Sequence, residues 1–186
     1  MMSYVFSDAS ALFLMWVFAQ AGLHKVQSAN GAYYANLIAQ YLNLEAYLDH
    51  SAQAKSQFKL LAKGIGIVEV TVALALVIPS TRAVAAMLAI VILVSYLLLM
   101  AFQIVQGNKE LDCGCMGPAG QTSISGSLLL RNSIFSVLAW LCLAPGNSFF
   151  TSAMVMTIVI SLVMILLNLT FEQLIVNAQR LKVLSH

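Results

Sequence analysis

The stretch "RAVAAMLAIVILVSYLLLMAFQIVQ", residues 82–106, holds a single charge, at its first position. A helix crossing the hydrocarbon core of a bilayer needs about 20 mostly apolar residues, and this run supplies them without a break. The rest of the chain has the same character. Its 186 residues are 61% hydrophobic and 9% charged, with a mean hydropathy of +0.90. A soluble domain is usually about 25% charged, and a chain this short cannot bury so much apolar surface in water. The solvent for this fold is lipid. A net charge of +2 with scattered basic residues gives no basis for nucleic-acid binding.

Outward from 82–106, four more stretches are long and apolar enough to span: 8–26, 61–79, 125–145 and 151–171. Pro79 and Pro145 close the second and fourth spans, as helix breakers. "TSIS" at 122–125 supplies N-cap candidates for the fourth. The first run contains "AQA" at 19–21, which resembles a cleavage site, but "MMSYVFSD" lacks the basic start of a signal peptide. It reads as a span. With no repeat, low-complexity tract or linker, residues 1–186 form one domain. The expected fold is an all-α integral membrane bundle of four core helices, with a fifth C-terminal helix. Residues 27–60 form the one long connection. There Tyr34, Leu37, Ile38, Tyr41, Leu44, Tyr47 and Leu48 recur at helical spacing. That spacing predicts an amphipathic helix lying on the membrane surface, either a packed connector or a lid over the loop at 107–124.

Alternating spans place segment 27–60 and loop 107–124 on one face, side A, and the turn at 80–81 on the other, side B. Lys25 ends the first span at side A. Counted from side A at 1.5 Å per residue, Glu69 lies about 12 Å deep and Arg131 about 9 Å. Gln103 and Asn168 lie near the side A ends of their spans. Ionisable groups inside a bilayer are costly and face the bundle interior, often paired. Their convergence on one end therefore marks a shared site. Glu69 and Arg131 are expected to face each other across the second and fourth spans, with Lys25 close enough to join. Simpler readings stand beside this one. Lys25 snorkels to the interface, Glu69 and Arg131 lock two helices together, and His24 is an interfacial side chain.

The side A loop contains "ELDCGCMGPAG", residues 110–120, with two of the chain's three cysteines. Cys142 lies near the side B end of the fourth span, roughly 25 Å away, too far to be bridged to the loop. It reads as a small buried apolar residue. For Cys113 and Cys115 three readings compete. In the first, the pair cycles between dithiol and disulfide: a C-x-C bridge closes a small ring, Gly114 relieves backbone strain, and strained, exposed disulfides are the labile ones. Arg131 and the start of the fourth helix favour a thiolate, while Asp112 opposes one unless it accepts the proton. In the second, Cys113, Cys115 and Met116 offer two thiolates and a thioether to a soft metal such as Cu(I). In the third, the segment is a structural turn.

"DCGCMG" at 112–117 followed by "LLLRN" at 128–132 resembles the MauE family, methylamine utilisation proteins of the bacterial inner membrane, within the broader DoxX-like group of small helical bundles. "AGLHK" at 21–25 and "GIVEV" at 66–70 resemble the group's glycine-to-lysine and glycine-to-glutamate patterns. Met116 stands where Phe is expected. The resemblance implies a DoxX-like fold and a role in periplasmic disulfide formation, beside a thioredoxin-like partner or client dithiol. It makes Cys113 and Cys115 the redox pair and Arg131 and Asn132 their motif neighbours.

The reading is thus a multi-pass thiol–disulfide oxidoreductase of the bacterial inner membrane, with site residues Cys113, Cys115, Arg131, Asn132, Glu69 and Lys25. With only one cysteine pair, electrons pass directly to a quinone or to another protein, and the convergence of Glu69, Arg131 and Lys25 marks a quinone pocket. The alternatives are a soft-metal (Cu or Hg) transporter and a non-catalytic assembly scaffold. Redox chemistry of this kind puts side A in the periplasm. The positive-inside rule points the other way, since side A carries Lys25, Lys55, Lys59, Lys63, Lys109, Arg180 and Lys182 against Arg82 on side B.

Overall fold

The computed structural model describes residues 2–42, 44, 52–108, 111–112, 114, 125–144 and 154–184. Cys113, Cys115, Met116, Lys109, Tyr47, Leu48 and Pro145 lie outside the described residues. The described chain forms helices α1 (Met2–Val26), α2 (Gly31–Tyr41), α3 (Ala52–Val77), α4 (Arg82–Val105), α5 (Gly126–Leu141) and α6 (Met154–Leu184), with a 3-10 turn at Ser28–Asn30. The fold is the expected all-α membrane bundle. Among the described residues, α1, α3, α4 and α6 are long and apolar enough to cross a membrane. The fourth expected span is shorter than its 125–145: α5 has 16 residues, about 24 Å of helix, and Cys142–Ala144 turn away. Ser125 stands at its N-cap in extended backbone, without a side-chain capping bond. Elsewhere the helices overrun the expected spans. α1 begins at Met2, α3 at Ala52, and α6 runs to Leu184. Hydropathy marks where lipid ends, not where the helical hydrogen bonds end.

α1 is the central helix. It packs against α3, α5 and α6, while α4 packs against α3 and α5. Half of the apolar stretch of α1 is buried in protein, against 17% for α6, which therefore sits at the periphery. Toward side B the core is aliphatic and aromatic, with Phe13 and Phe135 meeting edge to face at 5.4 Å. Leu88, Val91 and Leu98 of α4 face outward, as a lipid-exposed surface requires. The short helix α2 lies against the side A end of α3, burying Tyr34 and Leu37 beside Ala62.

The α1–α3 crossing is held at backbone contact. A Cβ on Gly22 would stand 2.6 Å from the carbonyl oxygen of Gly66, and one on Gly66 would stand 2.8 Å from that of Gly22. Small residues permit such close helix packing in lipid, where no hydrophobic effect drives helices together.

Gly22→Ala and Gly66→Ala are each expected to destabilise the bundle by about 1–3 kcal/mol, the usual cost of overpacking. Gly64→Ala, two residues from Gly66 and with nothing within 4 Å of its Cβ, is expected to stabilise α3 by about 0.5–1 kcal/mol. Thermal unfolding in detergent micelles reads both signs.

Candidate functional site

The cysteine loop is gripped by α2. Tyr33 O–H donates to the Asp112 carboxylate, Tyr34 O–H to the Gly114 carbonyl at 3.2 Å, and Tyr41 O–H to the Asp112 carbonyl at 3.1 Å. The Asp112 carboxylate also accepts from the Gly114 N–H at 3.2 Å, bridging over position 113. An aspartate bonding the backbone two residues on is a turn-forming device. Asp112 therefore shapes the turn. Gly114 adopts φ +70°, and a Cβ there would stand 2.4 Å from Leu37 Cδ2. Both the left-handed backbone and the contact with α2 require glycine. Helix α2 packs against both α3 and residues 112 and 114 of the loop.

Beneath the loop lies the first of the ion pairs. Lys25 Nζ donates to both Glu69 carboxylate oxygens at 2.8 Å, and Tyr96 O–H donates to Oε1. Lys25 also lies over the Tyr34 and Tyr96 rings, 5.9 and 5.4 Å from their centroids, within cation–π range. Glu69 is only 1% exposed. The lysine does not snorkel.

Arg131 differs from expectation. Its partner is Glu172, at 2.7 Å, and not Glu69. Asn168 donates to the same Glu172 oxygen at 3.2 Å, and Arg131 lies 5.6 Å from the Phe135 ring centroid. The expected fifth span, 151–171, stops one residue short of Glu172, so its carboxylate was not placed among the spans. Asn132 is buried and donates to Met100 Sδ at 3.7 Å. Lys25 and Arg131 are each paired with a carboxylate, and Arg131 is one of the two features expected to favour a thiolate. The N-terminus of α5 is the other.

Glu69 and Arg131 do share a wall. Together with Tyr96, Asn132, Asn168 and Glu172 they border an interior cavity of about 40 Å³, room for roughly two or three waters. Gln103 is fully buried, donating to the Tyr41 carbonyl at 3.1 Å and tying α4 to α2. The convergence on side A is incomplete, because Asp8 and Arg82 form a third buried ion pair at side B. Asp8 is the first residue of the expected first span, where hydropathy alone names no partner for it. Cys142 is a buried free thiol beside the Ser7 carbonyl at that same end, as expected of a packing residue. The soft-metal set of Cys113, Cys115 and Met116 falls outside the described residues.

Residues 3–145 match the family described as "Methylamine utilisation protein MauE". A curated relative, "Methylamine utilization protein MauE" of Paracoccus denitrificans, is 31% identical over 88 residues, an alignment covering 47% of this chain and 47% of that protein. The chain thus spans about half the length of the curated relative it matches. No solved structure matches.

Lys25→Met leaves the Glu69 charge buried and unpaired, and is expected to cost about 3–5 kcal/mol. Adding Glu69→Gln removes the stranded charge and is expected to restore most of that loss. Thermal unfolding of the two single variants and the double variant closes the cycle. A cost below about 1 kcal/mol for each single change would place the pair with solvated surface bridges.

Proposed function

The chain belongs to the MauE family, and from that membership we propose that it is a thiol–disulfide oxidoreductase built into a multi-pass membrane bundle. Cys113 and Cys115 are its redox pair, and its substrate is a protein dithiol, in a client or a thioredoxin-like partner. The supporting observation is the grip of α2 on the loop. Tyrosine hydroxyls fix the residue before Cys113 and the glycine between the two cysteines. The turn is held at positions 112 and 114, and fixing a reacting segment removes entropy from the barrier.

In the oxidised protein a client thiolate attacks one sulfur of the Cys113–Cys115 bond, and the other sulfur leaves as a thiolate. The second client thiol then displaces the mixed disulfide. The client gains one S–S bond, and the pair gains two electrons. In this reading side A faces the periplasm of a bacterial inner membrane. Of the charges in the positive-inside count, Lys25 on side A is neutralised by Glu69 and Arg82 on side B by Asp8, so the remaining basic residues of that count lie on side A and oppose this orientation.

Trapping tests the reaction. Changing only the resolving cysteine to Ser should leave a mixed disulfide with the partner, seen as a reductant-sensitive higher band on non-reducing electrophoresis of membranes. Changing the attacking cysteine should leave none. If neither Cys113→Ser nor Cys115→Ser traps a partner, and both weaken Cu(I) binding alike, the pair is a metal site instead.

A further inference from the structure

A second cavity lies directly under the cysteine loop. It measures about 270 Å³ and is bordered by Lys25, Tyr34, Tyr41, Tyr96, Met100 and Gly114. Gly114 is the residue between the two cysteines, so one wall of the cavity is the turn that carries the pair. The remaining border includes Leu61 of α3 and Leu99 of α4, 49% and 44% exposed, and in this fold exposed leucine on a spanning helix faces lipid. Past Leu61, Ile65 and Tyr96 the cavity adjoins an apolar groove between α3 and α4 of about 750 Å³. The chamber under Gly114 thus shares three wall residues with a groove on the lipid-facing side of α3 and α4.

The lining specifies the occupant. Lys25 is the charged side chain on the wall, and it is already bound to Glu69. The pair is electrically neutral, so an anionic headgroup gains little from the lysine and is repelled by the carboxylate. An ammonium has three N–H donors, and Glu69 takes two. One remains for a neutral acceptor such as a carbonyl oxygen. The rest of the wall is apolar or aromatic, suited to a flat ring, and the groove is suited to a long hydrocarbon tail. Small-molecule sites of about 300–1,000 Å³ with few polar groups are the norm.

From these features we infer that the chamber binds a membrane quinone, with its ring beneath Gly114, a carbonyl oxygen on Lys25 and its tail in the α3–α4 groove. The inference rests on the thiol–disulfide reading for its chemistry. The reduced pair loses two S–H bonds and gains one S–S bond. Both electrons and both protons pass to the quinone, which leaves as hydroquinone into the lipid. The pocket expected among Glu69, Arg131 and Lys25 is relocated accordingly. Arg131 is not on the wall of this chamber but borders the small interior cavity and the α5–α6 surface, and Glu69 acts through Lys25 as a positioning residue.

The test uses the full chain in lipid nanodiscs with a photoreactive ubiquinone analogue. Labelling should map to peptides containing Leu61 or Leu99, be competed by unlabelled ubiquinone, and persist in a Cys113→Ser, Cys115→Ser double variant. Leu61→Trp should fill the mouth and lower labelling at least tenfold while leaving exchange with a small-molecule disulfide within twofold. Leu99→Trp provides a second block should the first variant not fold. Labelling unchanged in both folded variants, or competed equally by a plain alkyl chain, overturns the inference; in the second case the chamber is a lipid-tail site. Quinone binding without oxidation of the thiols would instead overturn the redox reading and leave the site in place.

Discussion

Gly22 and Gly66 meet backbone to backbone, and three residues further along each helix stand Lys25 and Glu69. Three residues is close to one helical turn, so each charged residue lies on the same face as its glycine. The close approach of α1 and α3 lets a lysine and a glutamate meet inside a membrane at 2.8 Å. With larger residues at the crossing the helices would stand apart and the charges would be stranded in lipid, at several kcal/mol. The glycine contact and the ion pair thus support each other. The neutral, half-polar wall they form is what lies beneath the cysteine loop.

Above that wall, α2 joins the cysteine loop to the buried ion pair. Its tyrosines reach the loop at Asp112 and Gly114, and Tyr34 also borders the lysine. A helix that does not cross the membrane thereby holds the turn in register with the buried pair. Below, the small cavity shared by Glu69 and Arg131 separates two ion pairs that are each neutral. The bundle interior is polar yet nearly uncharged, which keeps the cost of desolvation bounded.

Much of this was legible in the sequence. Residues 82–106 are apolar enough to admit one reading, and the chain order of spans followed. The pairing Lys25–Glu69 was partly visible, because both sit near side A. Its cause was not: a G-x-x-K and a G-x-x-E look loose until the two glycines are found in contact. The partner of Arg131 was missed because the apolar run thins out before Glu172, while the helix continues. Asp8, the first residue of the expected first span, pairs with Arg82 at the start of α4, a contact between chain-distant helix ends that hydropathy does not show. Tyr96 was hidden in an aliphatic span, although a hydroxyl in a membrane helix needs a partner and so points to an acceptor. The grip of Tyr33 and Tyr41 on Asp112 joins residues about 70 to 80 apart in the chain. Periodicity shows which face of α2 is apolar, not which loop lies against it.

The central claim is that Cys113 and Cys115 cycle as a redox pair on the outer face of the membrane. Intact cells treated with a thiol reagent that cannot cross the inner membrane test both halves at once, when mass mapping of the loop peptide follows. The account predicts a Cys113–Cys115 disulfide in untreated cells, labelling of both residues after mild reduction, and Cys142 unlabelled throughout. Two free thiols that stay unlabelled until the cells are permeabilised would contradict it.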